Sequence, residues 1–418
     1  MTRQEVNHLT SAKWTEPVLH TPTEWEKKFC SRCALMTSSA IREILKIAGR
    51  PDIISFAGGL PAPEIFPVKD IEEACIRVLR ASGQQALQYS ITEGFLPLRQ
   101  ELATKMQNYG VEAQADNIFP TNGSQQALDL IGRLFIDAGD MIVTDCPTYL
   151  GALQAFASYQ PRIACMPLDD DGMQVDQLEP VLKKEKVRFI YVLPNFHNPA
   201  GVTLSLERRI ALVKIAAKYG VPIIEDDPYG ELRFEGEDLP AIMTLHKENT
   251  IYMSTFSKIL APGLRLGWVV GPQILISKLV QAKQATDLHT STFTQMIVHD
   301  VMKRGVLQEH SKLIRKVYGE RRHVMTDAME EYFPEGVRWT KPQGGLFLWV
   351  TAPEGVDTKD LLKKAIEHKV AFVPGSPFFP HGGGENTMRL NFSNAQPDQM
   401  REGIKRLGAT LKEAIENR

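Results

Sequence analysis

The sequence predicts an α/β protein, with a large domain on a doubly wound, mainly parallel sheet and a smaller α+β domain beside it. Three observations carry this. Between about Asp70 and Ala282, strand-length apolar runs alternate with helical patterns, the arrangement of a sheet buried on both faces. After that stretch the pattern changes to a long charged helix followed by short strands. The 418 residues also exceed what one simple core holds, which favours two domains.

Taken in order, SSAIREILKI repeats apolar residues at Ile41, Ile44, Leu45 and Ile47, one face of a short helix. PDIISFAGGLPAPEIFP combines a short apolar run with Gly58, Gly59, Pro61, Pro63 and Pro67, so it reads as an extended, turning segment. MIVTDC, RFIYVLP, VPIIEDD, TIYMSTF and LRLGWVVG are the expected strands of the large sheet. QQALDLIGRLFIDA and SLERRIALVKIAAKY are helices between them, with Gly139 and Gly220 as their stops. The helix around SKLIRKVYGERRHVMTDAMEEYF, the strands GLFLWV, AFVP and MRLNFS, and the final helix PDQMREGIKRLGATLKEAIEN make the smaller domain.

Composition removes several function classes. Forty-eight basic residues against 50 acidic give a net charge of -2, so no global field attracts a polyanion, and nucleic acid is not an expected partner. No apolar run approaches the roughly 20 residues of a membrane span, and MTRQEVNHLTSAKW lacks the apolar centre of a signal peptide. A cytoplasmic location is expected, with no membrane partner. The five cysteines are scattered and do not form a secreted disulfide framework. Cys30 and Cys33 form a CxxC, but a zinc site needs a second ligand pair and a thioredoxin-like site needs a preceding strand; the expected metal content is none.

Ligands of doubly wound sheets bind at the carboxyl ends of the strands, and the polar motifs fall there. TNGSQQAL puts Gly123 and Ser124 just before a helix, where free backbone N–H groups and the helix dipole favour a phosphate. LPNFHNPAG puts Asn195 and Asn198 after one strand, EDDPYG puts Asp226, Asp227 and Tyr229 after the next, and STFSKILAPGLRLGW puts Ser257, Lys258 and Arg265 after a third. Each alone reads as a helix cap or turn chemistry. Together they gather a phosphate cradle, a carboxylate, a phenol and a lysine at one sheet edge.

NPAG, EDDPYG and TFSK with a downstream GLR resemble the fold-type-I aminotransferases dependent on pyridoxal 5′-phosphate (PLP). The likeness runs from FAGGLPAPEIFP through LQYSITEGFLPLR and GSQQALDL to QGGLFLWV and MRLNFS, and is strongest toward 2-aminoadipate and kynurenine aminotransferases. It implies an N-terminal arm and part of the small domain at 1–67, a large PLP-binding domain at 68–310, and the rest of the small domain at 311–418.

The resemblance also implies roles. Lys258 would carry the cofactor and shuttle protons. Asp226 would pair with the pyridine nitrogen, chosen over Asp227 on family spacing alone. Asn198 and Tyr229 would bond the phenolic oxygen, and Tyr149 would stack on the ring, with core packing as its alternative. Ser124, Gln125, Ser257 and Arg265 would hold the phosphate, joined by Tyr89 from a second subunit of a homodimer. Arg389 would take the substrate α-carboxylate as a bidentate pair, with Asn198 and Gly59 close by. Arg42 and Ser39 would recognise a distal carboxylate.

The expected reaction moves an amino group from 2-aminoadipate, leucine or an aromatic amino acid to 2-oxoglutarate. The alternatives are a PLP-dependent lyase, since one fold supports several such reactions, and a PLP-binding transcription regulator. The regulator needs a basic helix-turn-helix module, and the roughly 40 residues ahead of the domain lack that pattern. HGGGE at His381–Glu385 imitates an oxyanion-hole motif, but no GxSxG elbow accompanies it; the expectation is a glycine loop near the substrate mouth.

Overall fold

The computed structural model describes residues 24–35 and 50–416. The chain divides into two compact units, Met1–Thr37 and Ser38–Arg418. Within the first, the described residues form two 3-10 turns, Trp25–Lys28 and Ser31–Leu35. The expected helix at SSAIREILKI lies outside the described residues.

The second unit holds fourteen strands among its described residues: β1 (Ile54–Ser55), β2 (Ile118–Thr121), β3 (Met141–Cys146), β4 (Arg162–Asp169), β5 (Gly172–Met173), β6 (Val187–Val192), β7 (Ile223–Asp226), β8 (Thr250–Thr255), β9 (Gly267–Val270), β10 (Arg338–Trp339), β11 (Phe347–Thr351), β12 (Val370–Ala371), β13 (Val373–Pro374) and β14 (Thr387–Asn391). Eight of them form the large sheet in the order β2-β9-β8-β7-β6-β3-β4-β5. The run β8-β7-β6-β3-β4 is parallel, and β9, β2 and β5 pair antiparallel at its margins. The sheet is therefore mainly parallel, as expected. Residues of β7, β8 and β9 are buried throughout, which explains why these segments read as unbroken apolar runs.

Helices cover this sheet and bring their N-termini to its carboxyl edge. The helix Gly123–Phe135 packs against β8 and β9. The helix Leu206–Tyr219 is capped by Ser205 at one end and by Gly220, at φ 64°, at the other, where a left-handed residue closes the last turn. Gly139 does not stop its helix. That helix ends at Phe135, and Gly139 instead occupies a turn at φ 88°.

The smaller sheet, β10-β11-β14-β13, is antiparallel and sets Arg389 in register with Trp349 and Val373. The charged helix Val306–Tyr332 and the last helix Pro397–Glu416 pack together beside it. The segment 51–67 opens on a turn closed by the Ile53 amide on the Arg50 carbonyl, and carries one 3-10 turn, Pro63–Ile65. Its β1 pairs with β12, and Phe56 is pinned by backbone bonds to Ala371 and Asn391.

One buried cation organises the loop after β6. Arg209 is fully buried and donates to the carbonyls of Leu204, Pro194 and Pro240 and to Asn195 Oδ1, at 2.6 to 3.0 Å. Burial pushes its pKa down, while the carboxylates of Glu225 and Asp227 oppose that shift. Replacing Arg209 with Met leaves these acceptors unpaired in the interior, and the expected loss of stability is about 3 kcal/mol. Chemical denaturation followed by tryptophan fluorescence checks this; a loss within the range of an ordinary surface substitution refutes the structural role.

Candidate active site

A cavity of about 450 Å³ opens where β6, β7 and β8 end and the helix Gly123–Phe135 begins. Gly59, Ser124, Gln125, Tyr149, Asn198, Asp226, Tyr229, Ser257, Lys258, Arg265 and Arg389 all line it, so eleven of the fourteen residues expected from sequence meet in one place. Tyr89 does not line it. Its side chain is 78% exposed and lies edge-on to His289. Ser39 and Arg42 lie outside the described residues.

Asp226 ends β7, and its carboxylate is enclosed. Oδ2 accepts a 2.8 Å hydrogen bond from the Tyr191 hydroxyl, while buried Oδ1 has no partner within the protein. Desolvation raises the Asp226 pKa to about 7; the Tyr191 bond opposes the rise and neighbouring Asp227 adds to it. Asp227 is occupied elsewhere, accepting from Asn195 Nδ2 at 3.0 Å, the Gly230 amide at 2.9 Å and the Tyr252 hydroxyl at 3.3 Å. The two adjacent carboxylates are thus separated by environment: Asp226 lines the cavity and Asp227 braces a turn.

Lys258 follows β8, and its Nζ donates to the Gly59 carbonyl at 2.8 Å. Burial lowers its pKa to about 8, helped by the positive charges of Arg389 and Arg265. An amine so shifted keeps a sizeable neutral, nucleophilic fraction near neutral pH. Arg389 donates to Asn198 Oδ1 at 2.8 Å and to the Ala57 carbonyl at 2.9 Å, and its guanidinium stacks 4.2 Å from the Phe347 ring centroid. Burial brings its pKa down to about 10, and Nε has no partner within the protein. Asn198 Nδ2 reaches the Tyr229 hydroxyl at 3.4 Å, and burial pushes that phenol up. Tyr149 lies on the cavity wall, its hydroxyl pushed up to about 12, chiefly by burial.

At the other end, Gly123 has φ 73°, and a Cβ there would fall 2.9 Å from Arg265 Nη2. A Cβ on Gly267 would fall 2.9 Å from the Ser124 nitrogen. Both glycines allow the Arg265 guanidinium and the helix N-terminus to converge. Gly123 and Ser124 are the first residues of that helix instead of preceding it. Thr255 Oγ1 binds Ser257 Oγ at 2.9 Å, orienting that hydroxyl. A cation, a helix N-terminus and two hydroxyl-bearing residues make a dianion site.

The sequence reading missed Tyr191, because a tyrosine within an apolar strand reads as core. It also missed Phe347, the platform beneath Arg389. The HGGGE loop has all three glycines at positive φ, and none of them lines this cavity.

The model of the family described as aminotransferase class I and II matches residues 51–407. The chain belongs to that family. This aminotransferase is 49% identical over 405 residues to aromatic-amino-acid aminotransferase 1 of Thermococcus litoralis, covering 95% of this chain and 97% of the relative. It superimposes with a TM-score of 0.91 on a multiple substrate aminotransferase from Thermococcus profundus, at 46% identity over 95% of this chain and all of the other. It matches LysN, the α-aminoadipate aminotransferase of Thermus thermophilus, complexed with N-(5′-phosphopyridoxyl)-L-leucine, at 41% identity and a TM-score of 0.89, covering 95% and 100%. The cofactor of this aminotransferase is PLP, and its cavity fits that group. Orphaned Asp226 Oδ1 suits a protonated ring nitrogen, and the Arg265 end suits a phosphate. Among the described residues, no group of three or more histidine, cysteine or carboxylate side chains could hold a metal ion.

The folded pKa of Asp226, about 7, lies above the usual aspartate value of 3.8. Between these values the folded apoprotein binds more proton than the unfolded chain, so the Asp226 contribution to stability is greatest below pH 4 and is lost as pH rises to about 7. In the apoprotein, Asp226→Asn should therefore gain stability relative to the parent across this range. Melting temperatures at pH 5 and pH 7.5 check this; a difference independent of pH refutes the shifted carboxylate.

Proposed function

We propose that this aminotransferase takes the amino group of 2-aminoadipate, leucine or an aromatic amino acid and passes it to 2-oxoglutarate in two half-reactions at one site. The observation that carries the reading is the meeting of Lys258, Asp226 and Arg389 in a single cavity. The range of donors is supported by relatives named for aromatic and α-aminoadipate substrates and by the leucine adduct bound to LysN. When bound, PLP supplies an aldehyde carbon that takes up the amino group and a ring that draws electrons from the substrate Cα.

The chain's own residues do the rest. Asp226, held in place by the Tyr191 hydroxyl, would pair with the ring nitrogen and favour its protonated form. Lys258 would hold the cofactor, and its Nζ, with a pKa lowered to about 8, would be the base that takes a proton from the substrate Cα. Arg389 offers two parallel N–H groups to the α-carboxylate, which orients the Cα–H bond toward Lys258. Asn198 and Tyr229 would bond the phenolic oxygen, Tyr149 would face the ring, and Ser124, Gln125, Ser257 and Arg265 would hold the phosphate.

The same reading assigns the large PLP-binding domain to 68–310 and the small domain to 1–67 and 311–418. It includes a homodimer in which Tyr89 of each subunit completes the phosphate site of the other; the exposure of Tyr89 supports that placement. A cytoplasmic location fits five free cysteines, and no described helix is long and apolar enough to cross a membrane. Arg42 and Ser39 would bind the distal carboxylate of dicarboxylic substrates.

The test is a visible absorption spectrum of the holoenzyme. A near-visible band should bleach on adding 2-aminoadipate and return on adding 2-oxoglutarate; a band untouched by this pair overturns the substrate assignment. Lys258→Ala should keep the fold but lose the covalently attached cofactor and nearly all turnover, and full activity in this variant refutes its role. Arg42→Ala should raise KM for dicarboxylic substrates by about tenfold or more while leaving leucine unaffected; equal loss for leucine removes the assignment.

A further inference from the structure

The transaminase chemistry uses no cysteine, yet two thiols are set side by side on the surface of the first unit. Cys30 Sγ and Cys33 Sγ are 3.5 Å apart, Cys30 is exposed and Cys33 half-buried, and both are free thiols. The Cys33 amide donates to the Cys30 carbonyl at 2.9 Å, closing a tight turn around Ser31 and Arg32. A turn of this kind keeps its first and fourth Cα atoms within about 7 Å, and a disulfide needs a Cα separation of about 4.4 to 6.8 Å. The backbone is therefore already close to the closed geometry.

We propose that Cys30 and Cys33 form a thiol–disulfide exchange site for low-molecular-weight disulfides and thiols, with an internal Cys30–Cys33 disulfide as its oxidised form. Cys30 is the attacking group. Cys30 is the more exposed of the two cysteines; the hydrogen bond it shares with Cys33, in which either sulfur can donate, holds its thiol below the ordinary range, and the Arg32 charge acts in the same direction. The same bond raises the thiol of Cys33, which suits a resolving cysteine. The thiol of half-buried Cys75, by contrast, is pushed up chiefly by burial.

In the first step the Cys30 thiolate attacks one sulfur of a small disulfide RSSR. A Cys30–SR bond forms, the S–S bond breaks, and RS⁻ leaves. Cys33 then loses its proton to solvent and attacks Cys30 Sγ, releasing the second RS⁻ as the internal disulfide closes. Two protein thiols are oxidised, and one RSSR is reduced to two thiols. An excess of small thiol runs both steps backward.

The test uses the full-length holoenzyme equilibrated with 2-hydroxyethyl disulfide and 2-mercaptoethanol over a range of ratios. Remaining thiols are alkylated, and cleavage at Glu26 and Glu43 releases one peptide, 27–43, carrying both cysteines and no others. The expected result is a single transition from the doubly alkylated peptide to an unalkylated peptide lighter by two hydrogens. Cys33→Ser should stop at a mixed disulfide on Cys30, and Cys30→Ser should react with the small disulfide about threefold more slowly or worse. Double alkylation at every ratio, mixed disulfides on both cysteines without closure, or equal rates in the two variants would each overturn the proposal. None of these readouts depends on transaminase activity, so the two assignments stand or fall separately.

Discussion

Much of this molecule can be understood from one constraint: a carboxylate buried at the end of a central strand needs a positive partner. Asp226 lies where a parallel sheet delivers its strand ends, and its nearest support is a neutral hydroxyl from the adjacent strand. Alone it holds its proton up to about neutral pH. In the proposed placement of the cofactor, a protonated ring nitrogen beside Oδ1 would supply the missing charge. Enclosing that aspartate would then favour a protonated heterocycle over a neutral one.

The cations of the cavity are set by the same physics with opposite sign. Lys258 and Arg389 are both weakened as cations by burial and share no carboxylate within hydrogen-bonding reach. Their hydrogen bonds go to neutral carbonyl and amide oxygens instead. An incoming carboxylate thus replaces a neutral acceptor and does not have to displace a competing anion. Around them Arg209, Asp227 and Glu225 are spent on the scaffold: Glu225 takes the Ile242 and Met243 amides at 2.7 and 2.9 Å, and Arg209 ties down the loop leading to Asn198.

The legible part of this design was the part written in local pattern. Strands β3 and β6 to β9 announce themselves because both faces are covered, leaving no polar alternation. Lys258, Asp226 and Asn198 fall in polar motifs where those strands end, while their roles, and the choice of Asp226 over Asp227, rest on the family resemblance. Strands β2 and β4 were not read, and each contains a proline, Pro120 and Pro167, a residue that argues against a strand when seen alone. Tyr191 and Arg209 escaped for a different reason. Their roles depend on partners 35 residues downstream and on carbonyls of distant loops, and neither leaves a mark in periodicity. Gly139 shows the converse error, since a turn glycine following a helix looks like its cap.

The extended segment around Ala57 and Gly59 has a consequence for how the site opens. Ala57 accepts from Arg389 and Gly59 accepts from Lys258, so the two buried cations of the cavity both hold this short stretch of backbone. Phe56, one residue before, is fastened to β12 through Ala371 and to β14 of the smaller sheet through Asn391. Drawing the Lys258 amine toward the middle of the cavity releases the Gly59 carbonyl at a cost of about 1 kcal/mol, while the anchor at Phe56 stays fixed. The segment is thus held at successive residues, by β12 and β14 at Phe56 and by the two buried cations at Ala57 and Gly59.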